Sequence, residues 1–223
     1  MRNVAVILAG GTGSRMGGKL PKQLLPLEDG RTVLEHAVEA FEKADCIDEI
    51  VLIMHHDWIM EAEQMWLRNA WQKVSRILPG GKERWESSVL AIRSFHEQDD
   101  DIALLLHDAA RPWVSQRILS DVCEALKSHA AVTVAVPMTD TLYRVADGQV
   151  VDIPLRADYM RAQTPQAFHL GVIREAYRRA LEMGNIEATD DCGILRRYMP
   201  ETAIYIVDGE EQNKKITYLE DIC

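Results

Sequence analysis

Short apolar runs alternate along the chain with longer amphipathic stretches. Val4-Ala5-Val6-Ile7-Leu8 is apolar at every position and rich in β-branched side chains, the pattern of a strand covered on both faces in a parallel sheet. Ile50-Val51-Leu52-Ile53-Met54, Ala103-Leu104-Leu105-Leu106 and 132–136 repeat it, and Ile204-Tyr205-Ile206-Val207 is a further candidate. Between these runs the period lengthens to that of a helix. Val33, Leu34, Ala37, Val38 and Phe41 share one helical face behind Thr32 and Glu35, which are spaced as a capping box. Further helices are expected over 58–71, 85–95, 114–129, 171–183 and 191–198, with a last one at the C-terminus. The alternation predicts an α/β fold: an open, mostly parallel sheet with helices on both faces.

The pattern breaks between Thr139 and Pro154. Asp147-Gly148 separates Leu142-Tyr143-Arg144-Val145 from Val150-Val151-Asp152-Ile153, which is a hairpin signal. The segment is too short to hold a core of its own, so an excursion from the main sheet is expected, within one domain spanning 1–223.

Composition narrows the function classes. Lys and Arg number 25 against 35 Asp and Glu, a net charge of −10. That disfavours a general nucleic-acid binder, whose affinity comes mostly from neutralising phosphates, but leaves room for a local basic pocket. No run approaches the roughly 20 apolar residues of a membrane span. The first apolar run leads straight into a glycine loop without a cleavage-like site, so no export signal is expected. Cys46, Cys123, Cys192 and Cys223 form no metal-ligand spacing and read as reduced thiols of a cytoplasmic protein.

Four stretches carry candidate chemistry. Gly10-Gly11-Thr12-Gly13-Ser14-Arg15-Met16-Gly17 follows the first strand, with Lys22 close behind. Glycines allow backbone N–H groups to approach a phosphate, and Arg15 can clamp one in two-pronged fashion. The Gly-Lys-Ser/Thr ending of a P-loop is missing, and Met16 stands where a dinucleotide fingerprint needs its third glycine. His107-Asp108-Ala109-Ala110-Arg111-Pro112 ends the third strand candidate, where open α/β sheets place their ligands. Asp108 suits a magnesium ion or, more plainly, a helix cap. Gly80-Gly81-Lys82-Glu83-Arg84-Trp85-Glu86-Ser87 puts Arg84 and Ser87 three apart at a helix start. Gln212-Asn213-Lys214-Lys215 offers one more cation to a phosphate chain or is a solvated turn. His36, His55, His56 and Asp57 form no recognisable ligand set, and Trp58, Trp66 and Trp71 read as packing residues. A hydrolase elbow is absent.

Taken together these motifs resemble a known family. The segment from Leu8 and Ala9 through Gly17, then Pro21-Lys22-Gln23, is similar to the nucleotide-binding signature of sugar-phosphate nucleotidyltransferases. Gly80 to Arg84, His107 to Pro112, Asp140-Thr141, Gln163-Thr164-Pro165-Gln166, Thr189-Asp190-Asp191 and Asn213 to Thr217 narrow it. The set resembles the cytidylyltransferases that act on 2-C-methyl-D-erythritol 4-phosphate or ribitol 5-phosphate. That resemblance implies a Rossmann-like domain, a homodimer gripped by a β-arm at about 139–156, and transfer of CMP from CTP to a polyol phosphate with release of pyrophosphate and help from Mg2+. It implies Arg15, Lys22 and Lys215 as catalytic cations. Leu8, Ala9, Gly10, Gly11, Gly13, Gly81, Arg84, Ser87, Asp108 and Ala109 fall on nucleotide-binding positions, with Asp108 beside the metal. Asp140, Thr141, Arg156, Thr164 and Thr189 fall on the polyol-phosphate side, Arg156 reaching into the other subunit's site.

Between the two substrates, Leu8-Ala9-Gly10-Gly11 and the stretch from Val151 to Met160 resemble the ribitol enzymes, as does His56-Asp57-Trp58. The segments 107–112 and 162–168 are at home in both. Ribitol 5-phosphate is therefore the expected acceptor, with methylerythritol 4-phosphate the alternative. Two other classes stay open. A nicotinamide-linked oxidoreductase would end its second strand with an acidic residue, where this chain has Met54-His55-His56. A noncatalytic nucleotide binder would leave the basic residues unconverged.

Overall fold

The computed structural model describes residues 1–11, 20–99, 101–184 and 186–222. Nine strands are described: β1 (Arg2–Ala9), β2 (Glu49–Met54), β3 (Val74–Pro79), β4 (Ile102–Asp108), β5 (Ala131–Pro137), β6 (Arg144–Ala146), β7 (Gln149–Asp152), β8 (Met160–His169) and β9 (Tyr205–Asp208). The described α-helices are α1 (Val33–Glu42), α2 (Ile59–Asn69), α3 (Arg84–Arg93), α4 (Gln116–Ala125), α5 (Leu170–Met183) and α6 (Asp191–Tyr198). Seven strands form one sheet in the order β3-β2-β1-β4-β8-β5-β9. Every pairing is parallel except those of β8, which runs antiparallel between β4 and β5. Among the described residues no helix is long and apolar enough to cross a membrane.

The apolar runs act as expected. Alternate residues of β1 enter opposite cores: Ala5, Ile7 and Ala9 on one face, Val4, Val6 and Leu8 on the other. The first core takes Phe41 of α1, Met65 of α2 and Ile118 of α4; the second takes Val89 of α3, Ile173 of α5 and Ile194 of α6. The sheet is therefore covered on both sides, which is why its central strands read as unbroken apolar runs. The Thr32–Glu35 capping box is formed. Trp71 is buried, and its carbonyl accepts from the Trp66 indole at 2.9 Å, so these two tryptophans pack as expected.

The sequence pattern misses two strands, and each miss has a physical reason. β3 is an edge strand whose Ser75 and Arg76 face partly outward, so only half of it is apolar. β8 carries Gln163, Thr164, Pro165 and Gln166 in its centre, where buried polar groups and a proline argue against a strand. Its register explains them. Thr133 pairs with Gln166 and Val134 with Gln163, so Thr164 and Pro165 bulge out of the ladder. The expected C-terminal helix is a short 3₁₀ turn at Leu219–Ile222.

The hairpin forms as β6 and β7, a separate two-stranded sheet. Its turn uses Asp147 at φ 50° and Gly148 at φ 74°, the left-handed pair that suits a two-residue hairpin loop. It presents an apolar surface: Tyr143, Val145, Val150, Ile153 and Leu155 are all exposed.

Candidate functional site

Leaving β1, the chain crosses towards β2 and β3; leaving β4, it crosses the other way towards β8 and β5. The direction of winding thus reverses between β1 and β4, and the carboxyl ends of two such strands open a crevice. A cleft of about 310 Å³ lies there, walled by Leu8 to Gly11 from β1, Asp108 to Ala110 from β4, and Gly81 to Arg84 with Ser87 from the start of α3. Lys22, Gln23, Lys215 and Thr217 complete it.

Backbone contacts hold these walls together. Ala109 N–H donates to the Leu8 carbonyl at 3.0 Å, and Ile216 N–H to the Ala110 carbonyl at 2.8 Å. The second bond sews the C-terminal segment to the end of β4. Gln23, almost fully buried, donates through Nε2 to the carbonyls of Ala9 at 2.7 Å and Gly11 at 2.9 Å. Gly10 and Gly80 pass so close that a Cβ on Gly80 would sit 3.0 Å from Gly10 Cα. The Ser87 hydroxyl accepts from Gly81 N–H at 3.1 Å, tying the glycine pair to the first turn of α3.

Charge converges on Asp108. Its Oδ1 accepts from Arg84 Nε at 3.0 Å and its Oδ2 from Lys215 Nζ at 2.6 Å. Burial alone would push this carboxyl up; Arg84 and Lys215 outweigh it and hold the group well below the usual carboxylate range. Arg84 also donates from Nη1 to Asp191 Oδ2 at 2.6 Å. Burial opposes the charge on Arg84, but Asp191 and Asp108 keep it firmly protonated. Lys22 Nζ donates to the Ile216 carbonyl at 2.8 Å. Of the two C-terminal lysines, Lys215 enters the cleft while Lys214 lies over the Trp113 ring.

Beneath Asp108 sits a polar layer. Thr164 Oγ1 accepts from Asp108 N–H at 3.1 Å and lies 3.0 Å from His107 Nδ1. His107 Nε2 lies 3.0 Å from the Arg111 carbonyl. A carbonyl can only accept, so Nε2 carries the proton and Nδ1 accepts from Thr164. Burial lowers the His107 pKa from 6.5 to about 4, so the ring is neutral. Asn213, fully buried, donates to Gln163 Oε1 at 3.1 Å and to the Thr164 carbonyl at 2.9 Å.

The structure thus brings Leu8, Ala9, Gly10, Gly11, Lys22, Gly81, Arg84, Ser87, Asp108, Ala109 and Lys215 to one cleft. Gly13 and Arg15 lie outside the described residues, as does Cys223. Thr164 is beneath the floor rather than on it. Asp140, Thr141, Arg156 and Thr189 are exposed and do not line the cleft of their own chain; Arg156 Nη1 donates to the Thr139 carbonyl at 2.8 Å. Gln23 and Asp191 stand inside motifs noticed in the sequence, yet only the fold shows what each holds. His55, His56 and Asp57 do approach one another, with ligand atoms within 4.8 Å, but none of them lines the cleft.

Asp108 is also the residue that fits a magnesium ion. Mg2+ is usually bound by one or two carboxylates together with substrate phosphates rather than by an all-protein cage. Asp108 on the cleft wall, with Glu83 also lining it and cations placed for a phosphate chain, matches that donor set.

The IspD family model, described as 2-C-methyl-D-erythritol 4-phosphate cytidylyltransferase, matches residues 3–223. This chain belongs to that family. Members of the IspD family are CTP-dependent nucleotidyltransferases, and this chain is a cytidylyltransferase. It is 47% identical over 227 residues to the 2-C-methyl-D-erythritol 4-phosphate cytidylyltransferase of Thermobifida fusca, covering 100% of this chain and 91% of that protein. It is 39% identical over 223 residues to the bifunctional ribulose 5-phosphate reductase/CDP-ribitol pyrophosphorylase Bcs1 of Haemophilus influenzae, covering 99% of this chain but 47% of that longer protein. Among solved structures, the 4-diphosphocytidyl-2C-methyl-D-erythritol synthase of Anaerococcus prevotii matches with a TM-score of 0.86 at 26% identity, covering 99% of this chain and 92% of that one. The higher identity goes with the methylerythritol name, against the ribitol preference of the sequence motifs.

Proposed function

We propose that this cytidylyltransferase transfers CMP from CTP to 2-C-methyl-D-erythritol 4-phosphate and releases pyrophosphate. The observation that carries the reading is the convergence of Arg84 and Lys215 on Asp108, with Lys22 lining the same cleft, in a chain whose net charge is −10. A cationic cleft in an acidic molecule is a focused site for a polyphosphate.

The acceptor's phosphate oxygen attacks the α-phosphorus of CTP in line, and pyrophosphate departs from the opposite side. That oxygen is already anionic, so no strong general base is needed, and His107, buried and neutral, is not placed to act as one. The protein's work is positioning and charge stabilisation. Lys22 and Lys215 steady the triphosphate, and Arg15 adds to them by resemblance. Lys215, held on Asp108 Oδ2, is placed to meet a phosphate oxygen, and Asp108 would hold a magnesium ion that supplies positive charge to the phosphates when bound. The glycine pairs 10–11 and 80–81 let backbone groups and Ser87 approach the cytidine.

The polyol-phosphate residues come from the resemblance, and most of them flank the arm. Asp140, Thr141 and Arg156 flank an exposed apolar hairpin, with Val145 59% and Leu155 74% exposed. A two-stranded ribbon is marginal alone, and a second copy of the chain is the surface it packs on. Pairing carries Arg156 into the partner's cleft, where Thr189 and the arm residues hold the acceptor's phosphate.

Pyrophosphate release from CTP, measured with methylerythritol 4-phosphate and ribitol 5-phosphate as alternative acceptors, tests the reading. The first should be preferred in kcat/KM by about tenfold or more, the scale at which a site built for one set of hydroxyls rejects another. The reverse order would assign the chain to ribitol 5-phosphate, which the Leu8-Ala9-Gly10-Gly11 loop favours. No pyrophosphate with either acceptor would overturn the assignment.

A further inference from the structure

We propose that Tyr177 and Asp191 are positioning residues that fix the Arg84 guanidinium against the bound nucleotide. The inference rests on the cleft being the CTP site and names a support that the cleft lining does not include.

Asp191 is the first residue of α6 and is completely buried. Its two oxygens are divided between two donors. Oδ1 accepts from the Tyr177 hydroxyl at 2.6 Å, and Oδ2 accepts from Arg84 Nη1 at 2.6 Å. Its backbone is held as well: Asp191 N–H donates to Gln166 Oε1 at 3.0 Å, and Cys192 N–H to the same oxygen at 3.1 Å. Tyr177 comes from the middle of α5 and is 2% exposed, packed in the same core as Val89, Ile92 and Leu195. The row Tyr177–Asp191–Arg84 therefore runs from a rigid apolar layer to the cleft wall.

A guanidinium is planar, and a partner at each of two edges defines its plane. Arg84 has Asp191 at Nη1 and Asp108 at Nε. The two partners are not equivalent. Asp108 lines the cleft and also holds Lys215, so its contacts change when phosphates enter. Asp191 is fully buried and does not line the cleft, so its contacts lie out of reach of what enters there. The third nitrogen, Arg84 Nη2, is buried and has no hydrogen-bond partner among the described residues. A buried donor left unmade is costly. Arg84 also lines the cleft beside Gly81 and Ser87, so the orientation in which its guanidinium is fixed sets what the nucleotide meets there.

The test compares Tyr177→Phe, Asp191→Asn and Arg84→Lys with the parent by steady-state kinetics, calorimetric CTP binding and thermal melting. Tyr177→Phe keeps the ring and removes one hydrogen bond. It should raise KM and Kd for CTP about three- to tenfold, leave kcat within about twofold and leave KM for the polyol phosphate unchanged. Asp191→Asn, which keeps the shape and loses the charge, should raise the CTP constants further. A parent that turns over CTP, with Arg84→Lys impaired but Tyr177→Phe at parental Kd for CTP, overturns the inference and leaves the proposed function standing. A parent that does not use CTP removes the function itself. A lowered melting temperature with KM for both substrates and kcat moving together would mean a merely structural role. Should Tyr177→Phe fail to fold, unchanged CTP affinity in Asp191→Asn overturns the proposal.

Discussion

Asp108 holds Arg84 on one oxygen and Lys215 on the other, and each cation reaches it from a distant part of the chain. With Asp191 the four groups pair their charges among themselves, while Lys22 and Lys82 outnumber Glu83 on the remaining walls and leave the cleft cationic. The neutral His107 below it has a consequence for stability. Its pKa falls from 6.5 to about 4 on folding because the ring is fully buried. Between those values the unfolded chain binds a proton that the folded protein refuses. The contribution to stability is therefore fully present above pH 6.5 and is lost as pH falls towards 4, amounting to about 2 kcal/mol between pH 6.5 and 4.5. Urea unfolding across that interval should show the loss, and a folded His107→Gln variant should show a flatter dependence; equal slopes would remove this account. At this scale the sequence was partly legible. Lys22, Arg84, Asp108 and Lys215 stand out because a cation or carboxylate after a strand or glycine turn has few other reasons to be there. Gln23 and Asp191 do not, and Thr164 was expected on the polyol-phosphate side rather than under Asp108, because a buried polar residue is recognised only by the groups it satisfies.

Among the elements, the turn from β3 into α3 decides the cleft's width. Gly81 has no room for a side chain: a Cβ there would lie 2.2 Å from Glu86 Cβ and 3.2 Å from the Glu86 carbonyl carbon. Gly11, on the facing wall, meets none of the described residues within 4 Å of the same point. Gly81→Ala should therefore displace the first turn of α3, cost about 1–3 kcal/mol and weaken CTP binding through Arg84 and Ser87. Gly11→Ala should stay within about 0.5 kcal/mol of the parent. Denaturant melts of the two variants check the contrast, and equal stabilities would show that Glu86 can yield. The central strands and the hairpin were readable because double-sided burial and an Asp-Gly turn leave plain patterns. β3 and β8 were hidden for opposite reasons: one faces solvent at the sheet's edge, and the other buries Gln163, Thr164 and Gln166 to serve the cleft.

For the whole molecule, the proposed arm makes the assembly part of the site. Lys22→Ala should lower kcat/KM by about 10²–10³, the scale for losing one transition-state donor, and Arg156→Ala should be similarly poor if it serves the partner's cleft. Mixed in equal amounts and allowed to exchange, the two chains should regain about a quarter of parental activity, because half the dimers are mixed and each of those has one intact site of two. No recovery despite verified exchange would place Arg156 in its own chain's site. The strand order sets a further condition, on synthesis. β1 to β4 can pair as they leave the ribosome, since their neighbours in the sheet are already made. β5 cannot join them, because its place beside β4 is taken by β8, which ends only at His169. Until then β4 presents an open edge. Thr164, which steadies Asp108, arrives with that strand, and Lys215 arrives later still. Arg84 and the carboxylate are therefore made early, and Thr164 and Lys215 late. A chain that stops before β8 carries half a sheet with an unpaired border, and its Asp108 lacks the lysine that balances it.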